Sequence, residues 1–121
     1  MKVEDFLRLL ENLLKFDDVL ACMVVTRELE GVYPKGIKIK NIDLWKLVNE
    51  TTGDMFELIS RFYEYGLQRV LLELKEHIII VVPISKRSGL VIIIKSLANF
   101  GLLDVEIENT KRKLLGLKQK R

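Results

Sequence analysis

Leu90-Val91-Ile92-Ile93-Ile94-Lys95 passes through Ser96-Leu97-Ala98-Asn99 into Phe100-Gly101-Leu102-Leu103. The first segment is apolar and mostly β-branched, the composition of a short buried strand. A brief polar break follows, and then a helix with Gly101 in its first turn. Glycine costs about 1 kcal/mol relative to alanine inside a helix. A chain that keeps it there points to a backbone passing close to a neighbour, most simply the sheet underneath.

Working back from this junction, two further apolar runs precede it, His77 to Ile84 and Arg69 to Lys75. Their connectors, Lys75-Glu76 and Ser85 to Gly89, are too short for a crossover, so the three strands are antiparallel neighbours. Ile78 to Val82 and Leu90 to Ile94 are apolar on both alternations, which predicts cover on both faces. Upstream, Asn41 or Asp43 caps a long helix from about Leu44 to Tyr65, closed by Gly66 at the C′ position. Leu20 to Thr26 reads as a buried strand and Glu28-Leu29-Glu30-Gly31 as a turn. Val32 to Lys40 reads as a strand with Ile37 and Ile39 alternating against lysines, kept at a sheet edge by Pro34. Residues 4 to 16 place Phe6, Leu7, Leu10, Leu13 and Leu14 on one helical face, and Asp17-Asp18 ends that helix. The predicted order is α-β-β-α-β-β-β-α, an α+β sandwich. The last helix is expected from about Leu97 to Leu115.

The 121 residues have room for one core, assigned here to 1–116, with 117–121 as a basic tail. Charged residues are 31% and aromatics 7%, so the core is mainly aliphatic under an ionised surface. Abundant Lys, Glu and Ile match a bias of proteins from hot environments, and the same composition also fits an AT-rich genome. The net charge is +3. Lys111, Arg112, Lys113, Lys118, Lys120 and Arg121 contribute +6, so the remainder carries about −3. Such a tail is a solvated helix end near a negative dipole terminus, or a contact with nucleic acid or another anionic surface. One cysteine, Cys22, excludes an intrachain disulfide and lies in an apolar run, a small buried side chain. No secretory signal and no spanning apolar run is present, which predicts a cytoplasmic protein.

The long helix carries more apolar surface than one sheet contact needs. Leu44, Leu47, Val48, Thr51, Met55, Leu58, Ile59 and Phe62 form one broad face. Trp45, Thr52, Phe56 and Tyr63 fall together on a second stripe about 100° away. Either the helix is sunk deeply enough to bury both stripes, or the second meets another chain, where aromatics are enriched. Basic residues are not interleaved with that stripe, and Asn49 and nearby acids flank it, which argues against base stacking.

Catalytic patterns are missing. No G-x-x-x-x-G-K-[ST] string occurs, and Gly66, Gly89 and Gly101 are isolated. His77 is the single histidine and reads as a solvated turn residue. Nothing assembles an acid, a base and a nucleophile, and neither a metal nor a cofactor is called for.

Ala98-Asn99-Phe100-Gly101-Leu102-Leu103, with the order of elements, resembles the dynein light-chain Roadblock family over nearly the whole chain. Phe100 stands where that family usually has leucine and Asp104 where arginine is common. The resemblance implies a five-stranded antiparallel sheet of order 2-1-5-4-3, with the long helix on one face and the terminal helices on the other. It also implies a homodimer or a dimer with a paralogous chain, formed by edge-to-edge pairing of third strands and side-by-side long helices. On this sequence those positions are Trp45, Asn49, Thr52, Phe56 and Tyr63 on the helix and Gln68, Val70 and Leu72 on the strand. Prokaryotic members of the MglB type regulate small Ras-like GTPases in trans, which implies a non-enzymatic module that activates or scaffolds such a partner. The competing expectation is a small-ligand sensor of profilin, PAS or GAF architecture, which needs a pocket with convergent polar groups. A third is a nucleic-acid binder acting through the tail, with steep salt dependence.

Overall fold

Solid apolar strands need cover above and below, and both layers are present. The structure, a computed structural model, describes residues 3–26, 33–96 and 100–119. Its elements are α1 (Val3–Leu14), β1 (Val19–Thr26), α2 (Ile42–Glu50), α3 (Thr52–Phe62), a single 3-10 turn (Tyr63–Tyr65), β2 (Val70–Glu73), β3 (His77–Ser85), β4 (Ser88–Lys95) and α4 (Phe100–Gln119). The strands form one antiparallel sheet in the order β1-β4-β3-β2.

Alternation along each strand sorts the core into two layers. Cys22, Val24, Ile78, Ile80, Val82, Leu90, Ile92 and Ile94 face α1 and α4, which contribute Leu10, Leu13, Leu103, Ile107 and Leu114. Ala21, Met23, Val25, Ile79, Val81, Val91 and Ile93 face the other way, under Val48 of α2 and Ile59 of α3. At the start of β1 the register shifts, with Val19 opposite Ile94 and Ala21 opposite Ile93. Leu20 is the extra residue of this bulge, which lets Val19 join the α1/α4 layer.

The α+β class agrees with the sequence, but the sheet has four strands among the described residues where five were expected. The described part of the expected strand Val32 to Lys40 forms no strand. That part, residues 33–40, is irregular and touches β1 through one backbone bond, Lys38 N–H to Leu20 O at 2.6 Å. The Leu20 bulge disrupts the ladder there, and Pro34 has no N–H to give. Lys38 instead extends its ammonium to Leu14 O and Phe16 O, at 2.9 and 3.0 Å, satisfying carbonyls at the end of α1. Ile39 is buried all the same, so the alternating pattern reflects packing without a ladder. The expected turn at Glu28 to Gly31 lies outside the described residues.

The expected long helix is two helices. Thr51 adopts φ −96° and ψ 10°, and its hydroxyl donates to Leu47 O and Val48 O at 3.0 and 3.1 Å. This back-bonding marks the bend between α2 and α3, although Thr51 N–H still reaches Leu47 O at 3.0 Å. Asn41 is the N-cap, its Oδ1 accepting from Leu44 N–H at 3.0 Å. The far end closes as read. Gly66 has φ +81°, its N–H reaches Tyr63 O, and Leu67 N–H reaches Phe62 O, a Schellman closure.

Gly101 does not pack against the sheet; it is exposed. The glycine that permits close approach of a helix is Gly89 in β4, where a Cβ would lie 2.8 Å from Ile59 Cδ1. His77, expected in a solvated turn, is the half-buried first residue of β3.

Candidate functional site

The residues expected at an interface occupy two adjoining places, the α2–α3 helical layer and the edge strand β2. Trp45 is half-buried over the sheet and meets Tyr33 edge-on, ring centroids 5.4 Å apart. Asn49 donates from Nδ2 to Trp45 O at 3.0 Å, holding its amide within the helix. Phe56 is half-buried against the same layer, and Thr52 is the first residue of α3. Tyr63 is exposed in the 3-10 turn, and Gln68 donates to Gly66 O at 3.3 Å beside it. Val70 packs on the α2/α3 layer and Leu72 is 45% exposed.

The helical layer is therefore rotated relative to the wheel. Val48 and Ile59 are buried, flanked by half-buried Leu44, Trp45, Met55 and Phe56. The exposed apolar flank lies on the other side: Leu47 at 55%, Leu58 at 38% and Phe62 at 48%. A wheel centred on the largest aliphatic face misses this, because burying Trp45 and Phe56 removes more apolar area than burying Leu47.

β2 is the open side of the sheet. It pairs only with β3 among the described residues, and Leu71, Leu72 and Leu74 are all exposed. An unpaired apolar edge invites a further strand, and soluble proteins usually blunt or cover it.

Sequence reading missed one polar constellation. Arg69, just ahead of β2, donates from Nη1 to Asp104 Oδ1 at 2.5 Å and from Nη2 to Glu108 Oε1 at 2.6 Å. Burial works against the charged guanidinium, but its hydrogen bonds to the two carboxylates and their charges outweigh it and hold its pKa above the ordinary value. Asp104 and Glu108 are one helical turn apart on α4, a visible signal, but nothing in sequence spacing names a partner 35 residues upstream.

The remaining features do not assemble chemistry. A cleft of about 470 Å³ at one end of the sheet is lined by Asp17, Glu76, Lys38, Lys40, Lys95 and His77, a mixture of signs in which Lys38 is already engaged. Cys22 is fully buried, donates to Leu10 O at 3.5 Å, and burial pushes its thiol up to about 12, partly offset by Lys38. It stays protonated and unreactive. Among the described residues no His/Cys/Asp/Glu group could hold a metal ion, and no helix is long and apolar enough to cross a membrane.

In the resemblance string, Ala98 and Asn99 lie outside the described residues. Phe100 and Gly101 begin α4, Leu102 is 69% exposed and Leu103 is buried in the core. No protein-family profile matches the chain, and no curated protein matches it. Solved structures do. The chain is similar to MglB of Myxococcus xanthus, at 16% identity and TM-score 0.77, over 98% of this chain and 90% of that one. It is similar to the gliding protein MglB of Thermus thermophilus, at 15% identity and TM-score 0.68, covering 98% and 92%. A Roadblock/LC7 domain from Streptomyces avermitilis aligns at 13% identity and TM-score 0.67, covering 93% and 97%. The fold is thus that of MglB and Roadblock/LC7 proteins across nearly the whole chain, in line with the resemblance read from the sequence.

Proposed function

We propose that this chain is a Roadblock-type module of the MglB kind, a non-enzymatic protein that self-associates and regulates or scaffolds a small Ras-like GTPase in trans. The observations that carry the reading are two apolar surfaces, the edge of β2, paired with β3 alone among the described residues, and the exposed flank Leu47/Leu58/Phe62. A second copy, or a paralogous chain, would extend the sheet through β2 and cover the flank with its own helices. Trp45, Asn49, Thr52, Phe56, Tyr63, Gln68, Val70 and Leu72 are the proposed contact region, with Trp45 and Phe56 supporting it from beneath. Residues 1–116 form the single domain in this reading and 117–121 the tail. Both sheet faces are filled with Ile, Val and Leu, which favours a binding module over a ligand sensor.

The chain offers no phosphate-binding loop, so nucleotide contact would come from the partner. The test is capture of small P-loop GTPases with the purified protein, followed by single-turnover GTP hydrolysis with and without it. Specific GTPase binding with an altered hydrolysis rate, and no saturable GTP binding by this chain alone, is the expected result. Micromolar binding of labelled GTP to the isolated protein would contradict it.

A further inference from the structure

We propose that Arg69 is a positioning residue that selects the register and facing of β2, and through it the surface on which the chain self-associates; the second half rests on the self-association reading above. Register in a strand is usually specified by hydrophobic alternation, because a slip of one residue turns every side chain to the opposite face. β2 carries little of that information beyond Val70, which packs half-buried on the α2/α3 layer. Val70, Leu71 and Leu72 are consecutive apolar residues, and Leu71 and Leu72, on opposite faces, are about equally exposed. A slip would exchange one leucine for another at little cost.

The hairpin turn is a weak lock as well. β2 and β3 are joined through Lys75-Glu76, closed by Leu74 N–H to His77 O at 2.8 Å. This dipeptide has none of the Asn-Gly or Asp-Gly character that favours a tight hairpin.

Arg69 supplies the missing asymmetry. Leu71 lies opposite Ile80 of the α1/α4 layer, and Val70 opposite Val81 of the α2/α3 layer. By alternation Arg69 belongs on the α4 side, where Asp104 and Glu108 receive both arms of its guanidinium. A one-residue slip would carry the fork to the α2/α3 face, away from both carboxylates. The Arg69 side chain is partly buried and its two carboxylates are about half exposed, so a slip would cost two charge-assisted hydrogen bonds. In the observed register Val70 and Leu72 lie on the α2/α3 side of the sheet, the side of the proposed contact surface.

The test compares the full chain with Arg69→Met, Arg69→Lys and the double variant Asp104→Asn/Glu108→Gln, reading amide exchange at Val70 to Glu73 and the dimer dissociation constant. Arg69→Met is expected to lose protection in β2 and at the β3 amides that pair with it, but not in β1 or β4, and to weaken association by about tenfold. The double variant should reproduce this, Arg69→Lys should restore it only in part, and combining Arg69→Met with the double variant should add nothing further. Unchanged β2 protection in Arg69→Met, or additive effects, would overturn the assignment. Lost protection with an unchanged dissociation constant would overturn the link to self-association. If Arg69→Met fails to fold, the carboxylate variant decides by the same readouts. A monomeric wild type would refute the self-association reading itself, and amide exchange would then decide the register claim alone.

Discussion

Cys22 shows how burial removes chemistry from a reactive side chain. Its thiol sits in the α1/α4 layer with Sγ directed to Leu10 O, and its pKa is about 12 against an ordinary 9.0. The native protein should therefore resist iodoacetamide at pH 8 and label fully once denatured; rapid labelling of the native chain would contradict the burial. The same shift has a consequence for stability. The folded state holds the thiol proton more tightly than the unfolded chain, so the contribution is complete below about pH 9 and is lost as pH rises toward 12. Cys22→Ala should accordingly show a flatter loss of melting temperature between pH 9 and 11 than the wild type. Gly89 makes a different point. A methyl there meets the tip of Ile59, a side-chain end that can yield, so Gly89→Ala should cost about 1 kcal/mol in denaturant unfolding. A loss of several kcal/mol would mean that α3 cannot adjust over β4.

The β3–β4 pair was legible because its residues are apolar on both alternations, a pattern few other structures tolerate. The Schellman closure was legible too, since Gly66 is the residue that a positive φ selects. The segment at residues 33–40 was not, because Ile37 and Ile39 alternate whether or not a ladder forms. Only a competing claim on Lys38 and the bulge at Leu20 decide against pairing. The break at Thr51 was hidden for a similar reason: a threonine within a helical pattern does not disclose that its hydroxyl bonds backward. The interface positions named from the sequence came from a resemblance and from a wheel assumed continuous, whereas the exposed flank depends on which stripe the sheet takes. Substitutions separate the two stripes. Ile59→Ala, in the buried layer, should lower unfolding free energy by about 2–4 kcal/mol. Leu47→Gln and Phe62→Gln, on the exposed flank, should change monomer stability by under about 1 kcal/mol while weakening self-association. Equal destabilisation of both classes in chemical denaturation would place the flank in the core.

Among the described residues, two layers of helices cover both faces of the sheet, while β2 pairs with β3 alone and Leu47, Leu58 and Phe62 are exposed. One of the similar structures is described as MglB with a tetrameric arrangement, so assembly is a property of at least that protein. For this chain the open edge and flank together are compatible with a standard interface of roughly 1,600 Å². Sedimentation equilibrium of the wild-type protein at micromolar concentration tests the claim most directly. A species of twice the 14.1 kDa chain mass, shifting toward the single mass in Phe62→Gln, is the predicted result; a single 14.1 kDa species across the concentration range would contradict it.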